Sequence, residues 1–283
     1  MLGRRLASAH CHTSSEYDPP PLQITCNTVV GAGAGLAWFV TIDGQGSVSP
    51  TTSYGAPVIS WFSGPGAVDA STDGGDLVTL YGRFFSTQRF LGAVTYGATG
   101  TEYKAQNCAV TQDHVAITCV TVGGTGRFLR WSVTVGGQTS AASVNVTSYA
   151  APRITALSPN TLLTNGDVAA VITGTNFAAR WGAASVRVYL NNFNIGMPSQ
   201  ALIDSYTAQL VLGYDPRGIV NAASAFSTVQ SWIASLTTIV PLVQPLPATS
   251  AGTLSFTLPS GFGPAQSALV LVDGVPSNIV NFS

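Results

Sequence analysis

Apolar and polar residues alternate along two stretches of this chain in nearly the same way. Leu36, Trp38 and Val40 occupy every second position, and Leu129, Trp131 and Val133 repeat that phase. A period of two marks a strand with one face in a core, so both tryptophans are expected to point between two sheets. Around these strands lies a repeat of about ninety-three residues, the sign of stacked copies of one small unit. Ile24-Thr25-Cys26 returns as Ile117-Thr118-Cys119, Thr41, Gly44, Gln45 and Ser47 return as Thr134, Gly137, Gln138 and Ser140, and Ser53-Tyr54 returns as Ser148-Tyr149. Past Pro57 and Pro152 come Gly75-Asp76-Leu77 to Gly82-Arg83-Phe84-Phe85 and Gly166-Asp167-Val168 to Gly174-Thr175-Asn176-Phe177. A weaker third copy of the later half follows, with Val270, Val272, Gly274 and Ser277 in the places of Val133, Val135, Gly137 and Ser140.

This organisation predicts an all-β chain of tandem immunoglobulin-like β-sandwiches. Residues 1–54 form the C-terminal part of a first module, 55–149 a complete module, and 150–283 a module carrying an insertion at about 191–251. Within that insertion, Asn221 to Leu236 has a helical period and is the one place where a helix is expected. The first module has no counterpart of residues 57–93, so its first strands are missing. A half sandwich exposes an unpaired strand edge and an apolar face that something must cover.

Composition narrows the picture. Charged residues make up 8% of the chain, against about a quarter in an average protein. Lys104 is the sole lysine, and Glu16 and Glu102 are the only glutamates, which leaves little to build solvated helices from. The net charge of −1 and the scattered arginines exclude a phosphate-binding face, so no nucleic-acid partner is expected. The apolar run Val29 to Val40 is shorter than the roughly 20 residues a spanning helix needs, and Pro241 and Pro245 interrupt Trp232 to Leu246, so no membrane span is expected. Met1 to His12 lacks the apolar region of a signal peptide.

The four cysteines fall into two equivalent pairs, Cys11 with Cys26 and Cys108 with Cys119, the second flanking a polar turn at Thr111-Gln112-Asp113. No Cys-x₂-Cys spacing occurs, so two disulfides within modules are expected rather than zinc. Disulfides imply an extracellular or cell-surface location, and a secreted chain without a signal peptide here points to a longer precursor.

The middle module's Ala-Pro start, Gly-Asp…Gly-x-x-Phe element, Cys-x₁₀-Cys hairpin and final strand Val133 to Ser140 resemble the IPT/TIG domain. That resemblance covers roughly residues 20–190 and 250–283. It implies an immunoglobulin-like sandwich of the kind found in tandem on extracellular proteins, and implies no activity.

Candidate chemistry is sparse. His10 and His12 flank Cys11 without a fourth ligand, and His114 lies in the hairpin before Cys119. Asp69, Asp73 and Asp76 share one loop that reads as an Asp/Gly turn more readily than as a calcium site. There is no nucleophile elbow, and Gly31 to Gly35 reads as an ordinary turn. No cofactor, metal or catalytic residue is expected. Trp61, Trp181 and Trp232 lie outside the repeated core positions and are candidates for a partner or sugar surface. Asn145-Val146-Thr147 and Asn281-Phe282-Ser283 are sequons at nearly equivalent places, so glycosylation is expected at Asn145 and Asn281. The expected role is that of a non-enzymatic structural protein of a glycosylated surface fibre or coat. Its partners are copies of itself or other extracellular proteins, with glycans possible. A receptor or adhesin ectodomain is the alternative.

Overall fold

The computed structural model describes residues 10–14, 23–159, 168–177, 186–190, 201, 252–258 and 266–282. They form an all-β chain of tandem sandwich modules with antiparallel strand pairing throughout. The expected helix at Asn221 to Leu236 and the insertion, apart from Ala201, lie outside the described residues.

In the first module, β1 (His10–Ser14) pairs with β2 (Gln23–Asn27), β3 (Leu36–Ala37) with β6 (Thr51–Thr52), and β4 (Thr41–Ile42) with β5 (Gln45–Gly46). The middle module forms two four-stranded sheets. One sheet holds β7 (Val58–Ser63), β8 (Leu77–Arg83), β11 (Gln106–Gln112) and β12 (Ala116–Val120) in the order β11-β12-β8-β7. The other holds β9 (Leu91–Gly97), β10 (Tyr103–Lys104), β13 (Arg130–Val135) and β14 (Gln138–Thr139) in the order β10-β9-β13-β14. The third module packs β15 (Arg153–Ser158), β16 (Val168–Thr175) and β18 (Thr253–Leu258) against a sheet of β17 (Val186–Leu190), β19 (Gln266–Val272), β20 (Val275–Pro276) and β21 (Val280–Phe282).

The middle core follows from the alternation. Val78, Leu80, Ile117 and Cys119 of one sheet face Val94, Tyr96, Trp131, Val133 and Val135 of the other, all of them buried. Trp131 stacks on Tyr96 with ring centroids 4.2 Å apart. A buried indole N–H needs an acceptor, and Trp131 Nε1 donates to Thr147 Oγ1 at 2.8 Å. Tyr149 inserts beside it, its hydroxyl donating to the Val122 carbonyl and lying 2.7 Å from the Tyr96 hydroxyl.

The repeated residues build a repeated brace. Trp38 Nε1 donates to Thr52 Oγ1 at 2.9 Å, as Trp131 does to Thr147. Tyr54 donates to the Val29 carbonyl at 2.5 Å, as Tyr149 does to Val122. One hairpin occurs three times, turning on Asp43-Gly44, Gly136-Gly137 and Asp273-Gly274, all with positive φ as a two-residue primed turn requires. Beyond each turn a serine hydroxyl accepts from a valine N–H: Ser47 from Val40 at 3.1 Å, Ser140 from Val133 at 3.1 Å, and Ser277 from Val270 at 3.0 Å.

The same brace carries very different burial. Ile117 is 0% exposed and its counterpart Ile24 38%, while Val135 is 1% exposed and its counterpart Ile42 61%. Trp38 was expected in a core yet is only half-buried. The cause is topological. In the middle module β12 lies between β11 and β8, and β13 between β9 and β14. Among the described residues β2 has only β1 and β4 only β5, so no second sheet closes over them.

Gly82 and Gly174 hold the strand corners by close approach rather than by a left-handed backbone. A Cβ on Gly82 would stand 1.9 Å from the Val58 carbonyl oxygen and 2.6 Å from the Phe85 ring. On Gly174 it would stand 2.1 Å from the Arg153 oxygen and 2.3 Å from Phe177. Both phenylalanines are buried plugs in their cores. Gly82→Ala therefore forces backbone apart in a packed core and is expected to cost at least about 2 kcal/mol, read as a lower urea midpoint at unchanged slope.

Candidate functional site

The sandwich presents one outward aromatic pair, created by an irregularity in β7. Strict alternation from the buried Ile59 would carry Trp61 inward. A bulge between Ile59 and Trp61 shifts the phase, so Phe62 reaches Trp131 in the core and Trp61 turns outward. Trp61 is 49% exposed and faces Tyr81 across the strand pair, with rings stacked at 3.9 Å and 4° between planes. Hydroxyls line the same sheet, with Thr79 and Thr118 bonded at 2.9 Å and Thr111 3.4 Å from Thr118. Sequence reasoning singled out Trp61 but missed Tyr81, whose role depends on the register that the bulge sets. Trp181 and Trp232 lie outside the described residues.

The sequon asparagines are both exposed. Asn145 Nδ2 donates to the Ser60 carbonyl, next to Trp61, and Asn281 Oδ1 accepts from Ser267 Oγ at 2.7 Å. Their places differ by one residue. Thr147 bridges Leu129, and Phe282 pairs with Gln266, which occupies the place of Leu129 in the third module. Asn281 thus matches Val146, and successive strand residues point to opposite faces.

Cys11 is joined to Cys26 and Cys108 to Cys119, each bond tying the two strands of a hairpin. His10 and His12 lie on β1 beside Cys11. His114 turns the β11–β12 hairpin with φ 66°, its N–H donating to the Ser86 carbonyl at 2.7 Å.

The carboxylates work separately. Asp69 forms an ion pair with the buried Arg127 at 2.8 Å. Asp76 Oδ2 accepts from the Ser71 N–H at 2.6 Å, and the Asp73 N–H donates to Ser71 Oγ at 3.3 Å. The loop is therefore held as a turn, and among the described residues no three His, Cys, Asp or Glu side chains gather as a metal site. Burial raises the pKa of the Tyr96 phenol, and burial with its phenol neighbours raises that of Tyr149, so both stay protonated near neutral pH. Gly31 and Gly124 make room for rings rather than phosphates, since a Cβ on either would meet Tyr54 at 2.8 Å or Tyr149 at 2.7 Å.

No protein family matches the sequence, and no curated protein matches it. Among solved structures, the full extracellular region of plexin A4, domains 1 to 8, matches at 13% identity with a TM-score of 0.28, covering 80% of this chain and 18% of the plexin. SGBP-B from a complex xyloglucan utilization locus in Bacteroides uniformis matches at 12% and 0.26, covering 81% and 49%. The Escherichia coli adhesin FdeC matches at 15% and 0.27, covering 93% and 77%. With TM-scores this low, none of the three tells what this chain binds.

Glu102 titrates away from its ordinary range. Desolvation pushes its carboxyl up, but hydrogen bonds from the Thr99 hydroxyl and from backbone N–H groups, those of Thr99 and Thr101 among them, outweigh this and hold it at about 2. A lowered folded-state pKa stabilises above the unfolded value of about 4.3, and that contribution fades as pH falls toward the folded value. Acid titration by NMR is expected to show the Thr99 amide shifting with a midpoint near 2. In Glu102→Gln that transition should vanish.

Proposed function

We propose that this chain is a non-enzymatic extracellular structural protein. Its tandem modules, 1–54, 55–149 and 150–283, form or join a glycosylated surface fibre or coat. The open first module is the joint, completed by β-strand addition from a neighbouring subunit. The IPT/TIG resemblance of the repeats fits this placement, as do two hairpin disulfides in a chain with 8% charged residues.

The contrast between Ile24 and Ile42 and their buried counterparts carries the reading. The hydrogen-bonded frame of a sandwich is present in the first module, where Leu36 is buried, yet Ile24 and Ile42 stay exposed at positions that are core in the middle module. Complete modules hold their own strands against such positions. Between Gln23 and Pro57 only Asp43 is charged, so an incoming apolar strand would meet almost no ionic cost. The exposed stack of Trp61 on Tyr81 favours a second reading, a receptor or adhesin ectodomain that uses this sheet to bind protein or glycan.

Native protein purified without reduction is expected to appear by electron microscopy as linear assemblies. Ile24→Glu with Ile42→Glu should disperse them to single rods while circular dichroism keeps the β signal. A compact monomer at micromolar concentration would defeat the fibre reading. Monomers that bind a glycan array or surface partner, and lose that binding with Trp61→Ala, would favour the second.

A further inference from the structure

We infer that Asn145 carries an N-linked glycan whose first sugar lies along the β7 edge against Trp61, sealing an open sheet edge. This rests on the extracellular reading above. Among the described residues β7 ends its sheet, with β8 on one side and no strand on the other. The surface there is apolar and unprotected: Trp61 is half exposed, Val58 is exposed, and Val144, beside Asn145, is 83% exposed. Unpaired apolar edges invite a wrong chain to add on, and the low charge density offers few gatekeepers.

Asn145 is placed to solve this. Its Nδ2 donates to the Ser60 carbonyl, so the amide already caps one free acceptor of the edge strand, one residue from Trp61. Glycosylation replaces only one of the two amide hydrogens. The remaining N–H keeps the bond to Ser60 and fixes the direction in which the sugar leaves. A pyranose carries its C–H bonds on flat faces, which suit an indole ring, while its hydroxyls stay in water or reach edge carbonyls.

The geometry also dates the modification. The sequon hydroxyl, on Thr147, is buried and accepts the Trp131 indole N–H. A transferase that reads this hydroxyl must act before the module folds. In that transfer, Asn145 Nδ2 forms a bond to C1 of an oligosaccharide held on a lipid diphosphate. The C1–O bond to phosphate breaks, the lipid diphosphate leaves, and the amide proton passes to a base of the transferase. The folded module is then not a substrate.

The test is secretion of the whole chain, behind a supplied leader, from a eukaryotic host. Asn145 occupancy is read by peptide mass after enzymatic glycan release in heavy-oxygen water. Asn145 is expected to be occupied, with protons of its first sugar shifted by the Trp61 ring current in NMR. Trp61→Ala should keep occupancy and abolish the shifts, and Trp61→Phe should retain part of them. Glycan removal should lower the middle module's melting temperature by about 4 °C, and by less than half of that in Trp61→Ala. A secreted, disulfide-bonded chain with Asn145 vacant would overturn this inference alone. Occupancy with unshifted sugar protons would overturn the packing on Trp61. A chain that forms no disulfides in the secretory pathway would sink the extracellular reading too. Folded bacterial protein incubated with transferase and donor is expected to stay unmodified, whereas unfolded protein is modified. Efficient modification of the folded form would refute the order of events.

Discussion

A tryptophan indole buried between two sheets must find an acceptor there, and the middle module is arranged around that need. Thr147 meets it, and the segment that delivers Thr147 also delivers Tyr149, whose phenol closes on Val122 and Tyr96. The polar atoms of the core are thus spent on one another. An apolar replacement for Thr147 would strand the indole N–H at a cost of about 1–3 kcal/mol. The threonine and tyrosine hold the last segment against the sandwich, and that segment leads directly to Pro152 and the next module.

Seen from this requirement, the first module is a frame without its filling. Trp38 and Thr52 make the same bond, and Tyr54 reaches the same carbonyl. Yet the indole is half-exposed, because the strands that would press on it are absent from the described residues. Neighbouring modules are also tied to each other. Ser86 Oγ donates to the Gly31 carbonyl at 3.0 Å, and Gln138 Nε2 to the Tyr54 carbonyl at 3.2 Å. Thr72 Oγ1 donates to Asn176 Oδ1 at 3.3 Å, and Thr125 Oγ1 to Asp273.

The all-β class and the tandem sandwich modules were legible in the sequence, because a long repeat and period-two alternation both survive in the residues that form the strands. Trp131 was legible as a core residue for the same reason. Trp38 was not legible as half-exposed, since alternation reports a strand's own faces and not whether a second sheet covers one of them. Gly82 was visible as a corner, but its cause was not. Only the fold shows the Val58 carbonyl and the Phe85 ring closing on the place of its Cβ. The aromatic pair was half legible. Trp61 stood out by falling outside the repeat, whereas Tyr81 became its partner through a bulge that leaves no plain mark in composition. The pairing of Arg127 with Asp69, and of Asn145 with Ser60, spans 58 and 85 residues and was beyond local pattern.

The Cys108–Cys119 bond also bears on how such a chain would respond to tension. The two cysteines are 11 residues apart on neighbouring arms of one hairpin. A pull transmitted through the backbone passes across the sulfur bridge and leaves the intervening loop slack. That loop withholds roughly 40 Å of contour from any extension, at about 3.5 Å per residue. Stretching would unravel the sandwich around the hairpin but could not lengthen the hairpin itself. The reach of each unravelled module is therefore capped by covalent chemistry, and a reductant rather than a stronger pull would release the remainder.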